Sequence, residues 1–200
     1  MENFSFVCVD FQKEFTSPDG YFFRKRPMVD FVKKNLFPFL KKKNIKVSEI
    51  AADYRKPRRG DRKPHCAPGS DGFLSELPGE LRKSRWVKAM NSPVWTRKNA
   101  GTLKKTSWPY VDDRKFTFWL KKNLRKNCIL FGLTLDKCLL CTVQELYFRG
   151  YRVKILREGC DTFSGSQKEK EMLFNLLTLT KWAEIISWNA LKKIYNSHYA

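Results

Sequence analysis

Asn127-Cys-Ile-Leu-Phe-Gly-Leu-Thr-Leu-Asp-Lys-Cys138 is the stretch on which the architecture turns. Through Gly132 it is apolar at successive positions, the pattern of a strand buried on both faces rather than one alternating between core and water. Leu133-Thr134 allows only a tight passage, and from about Asp136 to Phe148 the chain reads as a helix, with Gly150 as a natural C-terminal cap. Downstream, Arg152–Leu156 reads as a strand, Lys168–Leu177 as a helix and Ala183–Ile186 as an edge strand. Upstream, Ser5-Phe-Val-Cys-Val-Asp10 is a second run of the buried type, ending at an acid, and Ser17-Pro-Asp-Gly20 is a turn signal. Met28–Lys43 has helical spacing, with Pro38 predicting a kink or an early end. Lys46–Asp53 is a strand that also ends at an acid. A basic, Pro- and Gly-rich loop spans Tyr54–Gly79, followed by short strands at Arg85–Met90 and Pro93–Arg97 and a helix over Arg114–Leu124. This order predicts an α/β three-layer sandwich: a central, mostly parallel sheet with helices on both faces, forming a single domain over residues 1–200. Ligands of such sheets bind beyond the carboxyl ends of the strands. That rule gathers Asp10, Asp53, the end of the Pro93–Arg97 strand and the Leu133–Cys138 turn on one edge.

The composition bounds the class. The chain has 200 residues, 42% of them hydrophobic, enough for one sizeable core. No apolar run approaches the roughly 20 residues that span a bilayer. The N-terminus has acids where a secretory leader needs bases, so a cytoplasmic protein is expected. Six cysteines are too few for a disulfide scaffold, and several sit in apolar runs as small hydrophobes. Forty Lys and Arg against twenty Asp and Glu give a net charge of +20, which predicts weak, non-specific attraction to polyanions. No nucleic-acid-binding motif accompanies it.

Cys138 lies in the first turn of a helix, where backbone N–H groups favour an anion and can hold a thiolate or an oxyanion. Packing is the commoner fate of such a thiol. Cys138-Leu-Leu-Cys141 also fits C-x-x-C, although Leu-Leu between the thiols points to a helix face meeting the core, and zinc would need ligands that His65 and His198 alone do not supply. Asp10, closing an apolar strand, must reach solvent or a cation, since a buried unpaired carboxylate is costly. Beside a nucleophile it becomes a candidate general base.

Together these segments resemble the isochorismatase-like cysteine hydrolases, which include nicotinamidase-related amidohydrolases. Val9-Asp-Phe-Gln-Lys-Glu-Phe15 is similar to their V-D-x-Q-x-D/E-F opening, and Gly132-Leu-Thr-Leu-Asp-Lys-Cys138-Leu-Leu-Cys-Thr142 to their G-x-x-T-D-x-C-V-x-x-T segment. His65-Cys-Ala-Pro-Gly-Ser-Asp-Gly72 is like their H-C-x-x-G-T-x-G loop, and Glu158-Gly-Cys-Asp161-Thr like a later one. The resemblance runs from about residue 5 to residue 163. It implies a catalytic triad of Asp10, a lysine and Cys138, cleaving a small amide-type C–N bond through a thioester. The lysine belongs just past the Pro93–Thr96 strand: residue type favours Lys98, and strict alignment of the strand end favours Arg97. The resemblance further implies a cis peptide at Leu133–Thr134 that helps form an oxyanion hole, a substrate pocket that includes Phe15, and a homo-oligomer.

Two departures stand out. Nicotinamidases hold a metal with an Asp-x-His pair and further histidines, but this sequence reads Asp53-Tyr54-Arg55. No metal or other cofactor is expected, and nicotinamide is not the expected substrate. Leu135 replaces the family's threonine. Specificity should lie in the loops Phe15–Phe23, Tyr54–Asp71 and Thr102–Tyr110, with Arg55, Arg58 and Arg59 suggesting an anionic small molecule. The rival readings are a catalytically silent, basic member of the fold that binds nucleic acid or another polyanion, and a thiol redox protein using Cys138 and Cys141.

Overall fold

The computed structural model describes residues 4–58, 60–97 and 108–196. Six parallel strands form the central sheet: β1 (Ser5–Val9), β2 (Val47–Ala52), β3 (Arg82–Lys88), β6 (Asn127–Leu133), β7 (Arg152–Asp161) and β8 (Glu184–Ile186), in the spatial order β3-β2-β1-β6-β7-β8. The apolar runs of β1 and β6 lie side by side in the middle, with Val9 level with Gly132 on one side and Ile50 on the other. Both faces of these strands are covered, which explains why the runs are continuous rather than alternating. A separate two-stranded ribbon pairs β4 (Trp95–Thr96) with β5 (Tyr110–Val111), antiparallel. The Pro93–Arg97 segment, expected as a strand of the main sheet, therefore belongs to this ribbon. The carboxyl end next to β2 is that of β3.

Helices pack on both faces. After the short α1 (Lys13–Thr16), one face carries α2 (Pro27–Phe31), a π-turn over Val32–Leu36 and α3 (Phe37–Lys42), with α7 (Trp188–Asn196) beside them. The other face carries α4 (Asp113–Asn123), α5 (Leu140–Phe148) and α6 (Gln167–Leu179). Pro38 does not end its helix. Proline lacks an N–H and its ring crowds the carbonyl four residues back; the wider π-turn just before it absorbs the misfit and the helix runs on to Lys42. Gly150 closes α5 as expected: with φ of 72°, it lets the Gly150 and Tyr151 amides turn back onto the Tyr147 and Leu146 carbonyls. None of the described helices is long and apolar enough to cross a membrane.

Candidate active site

Three side chains converge at the carboxyl edge of the sheet. Asp10 follows β1 directly, in the left-handed region with φ of 47°, while its amide still donates to the Ile50 carbonyl at 2.8 Å. The chain leaves the strand there, and aspartate is among the few residues that accept this conformation readily. Gln12 fixes the exit: its side-chain amide donates to the Ala52 carbonyl at 3.0 Å and accepts from the Ala52 amide at 2.7 Å, tying this turn to the end of β2. Lys88, the last residue of β3, is fully buried and places its ammonium 2.8 Å from Asp10 Oδ2. A buried charge of either sign is costly unless paired, and here the two form an ion pair.

Cys138 comes from the far side of β1. β6 leads through a cis Leu133–Thr134 peptide into a π-turn over Leu135–Leu139 that continues as α5. The Thr134 carbonyl accepts from the amides of Lys137 and Leu139, both at 3.0 Å, and passes over the Cys138 amide between them. π-turns of this kind are frequent at functional sites. The Cys138 thiol is buried, 3.3 Å from the Tyr54 hydroxyl and 3.6 Å from Asn91 Oδ1. Burial pushes its pKa up to about 12; Lys88 and a hydrogen bond from Tyr54 pull it down, and the Asp10 charge adds to the rise. Burial alone would lower the Lys88 pKa, but Asp10 and Cys138 more than offset it and hold the ammonium charged. At rest Cys138 is therefore a thiol and Lys88 an ammonium.

The sequence expectations fall unevenly on this geometry. Asp10 and Cys138 come to the same sheet edge, linked through Lys88 and the Tyr54 hydroxyl. Lys98, the first choice for the cation, lies outside the described residues, as does Arg59. Arg97 is buried 3.7 Å from Asp53 Oδ2, so it serves a different carboxylate. Lys88 stands beside Asp10 instead. Its signal in the sequence was present but unread: a lysine ending a strand, as Asp10 follows one. Tyr54 was missed too. Its hydroxyl accepts a hydrogen bond from Lys88 Nζ at 2.7 Å and lies 3.3 Å from Cys138 Sγ.

A cleft of about 600 Å³ opens over Cys138 and Thr134. Phe15, Phe22, Met90, Trp95 and Phe163 give it apolar walls, and Arg58 and Lys137 bring positive charge. Arg58 pairs with Asp61 and lies flat over the Tyr54 ring, 3.6 Å from its centre. It also donates to Asn91 Oδ1 at 2.7 Å, an oxygen 3.6 Å from Cys138 Sγ. Lys137 has no ion pair among the described residues, and its ammonium sits 3.9 Å from the centre of the Phe163 ring.

The metal site of nicotinamidases does not fit this chain. Asp53 is buried and already engaged: Arg55 grips both carboxylate oxygens at 2.6–3.1 Å, and Arg97 adds a second guanidinium. Arg55, two residues on, cannot ligate a cation. His65 directs Nδ1 to Glu14 at 2.9 Å and stacks on Tyr21.

Comparison with known proteins bears on the fold and the family. A model of the Isochorismatase domain matches residues 5–190. No curated protein sequence matches significantly. Among solved structures, an isochorismatase-like hydrolase from Alkaliphilus metalliredigens superposes with a TM-score of 0.70 at 15% identity, covering 96% of this chain and 99% of that one. A pyrazinamidase/nicotinamidase from Streptococcus mutans gives 0.65 at 18% identity, covering 92% and 100%. A pyrazinamidase of Pyrococcus horikoshii, in complex with zinc, gives 0.64 at 17%, covering 92% and 98%. By a family match over nearly its whole length, on a six-stranded parallel sheet flanked by helices, this chain belongs to the isochorismatase family.

Proposed function

We propose that the protein is a cysteine hydrolase that cleaves a small amide through a thioester on Cys138, with Asp10 as general base and Lys88 as the triad cation. The observation that carries this reading is a chain of contacts at one sheet edge below an open cleft: Lys88 Nζ lies 2.8 Å from Asp10 and 2.7 Å from the Tyr54 hydroxyl, which lies 3.3 Å from Cys138 Sγ. Asp10 takes the thiol proton as sulfur attacks the carbonyl carbon, so no standing thiolate is needed despite the high thiol pKa. Lys88 stabilises the negative charge as it moves from carboxylate to sulfur and on to the substrate oxygen. The Cys138 and Thr134 amides are the proposed donors to that oxyanion. Asp10 then returns the proton to the departing nitrogen, and the C–N bond breaks. Water, deprotonated by Asp10, attacks the thioester, releasing a carboxylic acid and regenerating the thiol.

The substrate we infer has an apolar body and an anionic group. Arg55 and Arg58, expected as anion contacts, are already committed to Asp53 and Asp61, which leaves Lys137, among the described residues, as the cation facing the cleft. The test is ammonia release from a panel of small amides. Cys138→Ala should abolish turnover, Asp10→Asn lower it by about 10²- to 10⁴-fold, and Lys88→Met lower it at least a hundredfold. Lys98→Met should retain turnover; its loss with Lys88→Met active would return the cation to Lys98. A panel on which wild type and Cys138→Ala are equally inert would refute amide hydrolysis.

A further inference from the structure

We propose that Tyr54 is a further catalytic residue, its phenol donating a hydrogen bond to the Cys138 sulfur and relaying to it the charge of Lys88. This rests on the reading of Cys138 as nucleophile and goes beyond the Asp/Lys/Cys set. The donor–acceptor count fixes the direction. An ammonium only donates, so in the 2.7 Å contact with Lys88 Nζ the Tyr54 oxygen must accept. Its own proton then points elsewhere, and the other partner of that oxygen among the described residues is Cys138 Sγ at 3.3 Å. Tyr54 is fully buried, so water does not compete for the proton.

The neighbourhood holds the phenol in this role. Burial pushes the Tyr54 pKa well above its usual value, keeping it a neutral donor. The Arg58 guanidinium covers the ring, and antiparallel backbone bonds to His65, at 3.1 and 3.0 Å, pin the segment. Among the described residues, the titratable and charged groups acting on Sγ are Asp10 after β1, Lys88 at the end of β3, and Tyr54 and Arg58 in the loop after β2, with the uncharged Asn91 Oδ1 at 3.6 Å. Asp10 receives the thiol proton; Tyr54 steadies the sulfur charge left behind. A hydrogen bond to a charged acceptor is stronger than one to a neutral group, so it gains strength as the proton departs. It is therefore worth more at the transition state than at rest.

The experiment is alkylation of Cys138 by iodoacetamide, followed by peptide mass spectrometry between pH 6 and 9. It needs no substrate. Tyr54→Phe keeps the ring and removes the donor; it should slow Cys138 alkylation about tenfold at pH 7 and move the profile up by about one pH unit. 3,5-Difluorotyrosine at position 54, a stronger donor, should shift the profile the other way, and it decides the matter if Tyr54→Phe does not fold. Profiles that superimpose on wild type for either folded variant would overturn the proposal. Superimposed profiles alongside amide turnover that depends on Cys138 would overturn Tyr54's role alone. A shifted profile without amide turnover would support Tyr54 while removing the amidase reading.

Discussion

Lys137 lines the cleft and Arg97 does not, and their surroundings give these two cations different work. Lys137 faces the cleft from the turn that carries Cys138 and has no carboxylate of its own among the described residues. If it meets an anionic substrate, Lys137→Ala should raise KM about tenfold for amides bearing a carboxylate and leave neutral amides unaffected, as steady-state kinetics on matched pairs would show. Equal effects on both series would deny it that role. Arg97 is buried against Asp53, whose other partner is Arg55. Removing one member of a buried ionic cluster costs about 3 kcal/mol or more. Arg97→Met should therefore lower the melting temperature clearly while the folded fraction keeps its kcat. A large fall in kcat with unchanged stability would return Arg97 to the chemistry.

At the level of elements, the site depends on how closely β1 and β6 approach where both turn toward the cleft. Gly132 is level with Val9 and has φ of 123°, a conformation L side chains rarely adopt. A Cβ there would stand 2.0 Å from the Val9 carbonyl oxygen, which is backbone and cannot swing aside. Gly132→Ala should destabilise by about 4 kcal/mol or more and disturb the Asp10–Cys138 alignment, giving loss of soluble protein or of turnover. Gly165, also at positive φ but with open space around it, is the control: Gly165→Ala meets the conformational cost without the collision and should be milder on the same denaturation curve. Comparable losses at the two positions would mean that the close approach of β1 and β6 is not the limiting constraint.

Across the whole molecule, the buried thiols bias stability with pH. Burial raises Cys128, Cys138 and Cys160 from an ordinary 9.0 to about 12, and lifts Cys8 and Cys66 well above that ordinary value too. A pKa raised by folding contributes stability that is full below the unfolded value and is lost as pH climbs toward the folded one. Each such thiol gives up about 1.4 kcal/mol per pH unit above 9, and the raised Lys88 acts in the same direction at higher pH. The melting temperature should fall steeply from pH 9 to 11; a flat profile there would mean these thiols are not as desolvated as the fold places them. Much of this molecule was legible in the order of its residues. The continuous apolar runs of β1 and β6, and the acid and thiol that follow them, mark a buried parallel sheet with a chemical edge, because a strand covered on both faces leaves no other pattern. The cation and the phenol were not legible. Lysines abound along this chain, and hydropathy cannot tell a solvated lysine from one folded onto a carboxylate. Reading Pro93–Arg97 as a sheet strand moved the expected cation past Lys88, and the difference between a ribbon strand and a sheet strand lies in its partners, not in its own residues. Tyr54 looked like the start of a basic loop until the fold set its hydroxyl between an ammonium and a sulfur. Sequence alone determined which strands are buried and what ends two of them; only the tertiary structure decided which cation and which hydroxyl meet there, because that choice rests on distances between segments far apart in the chain.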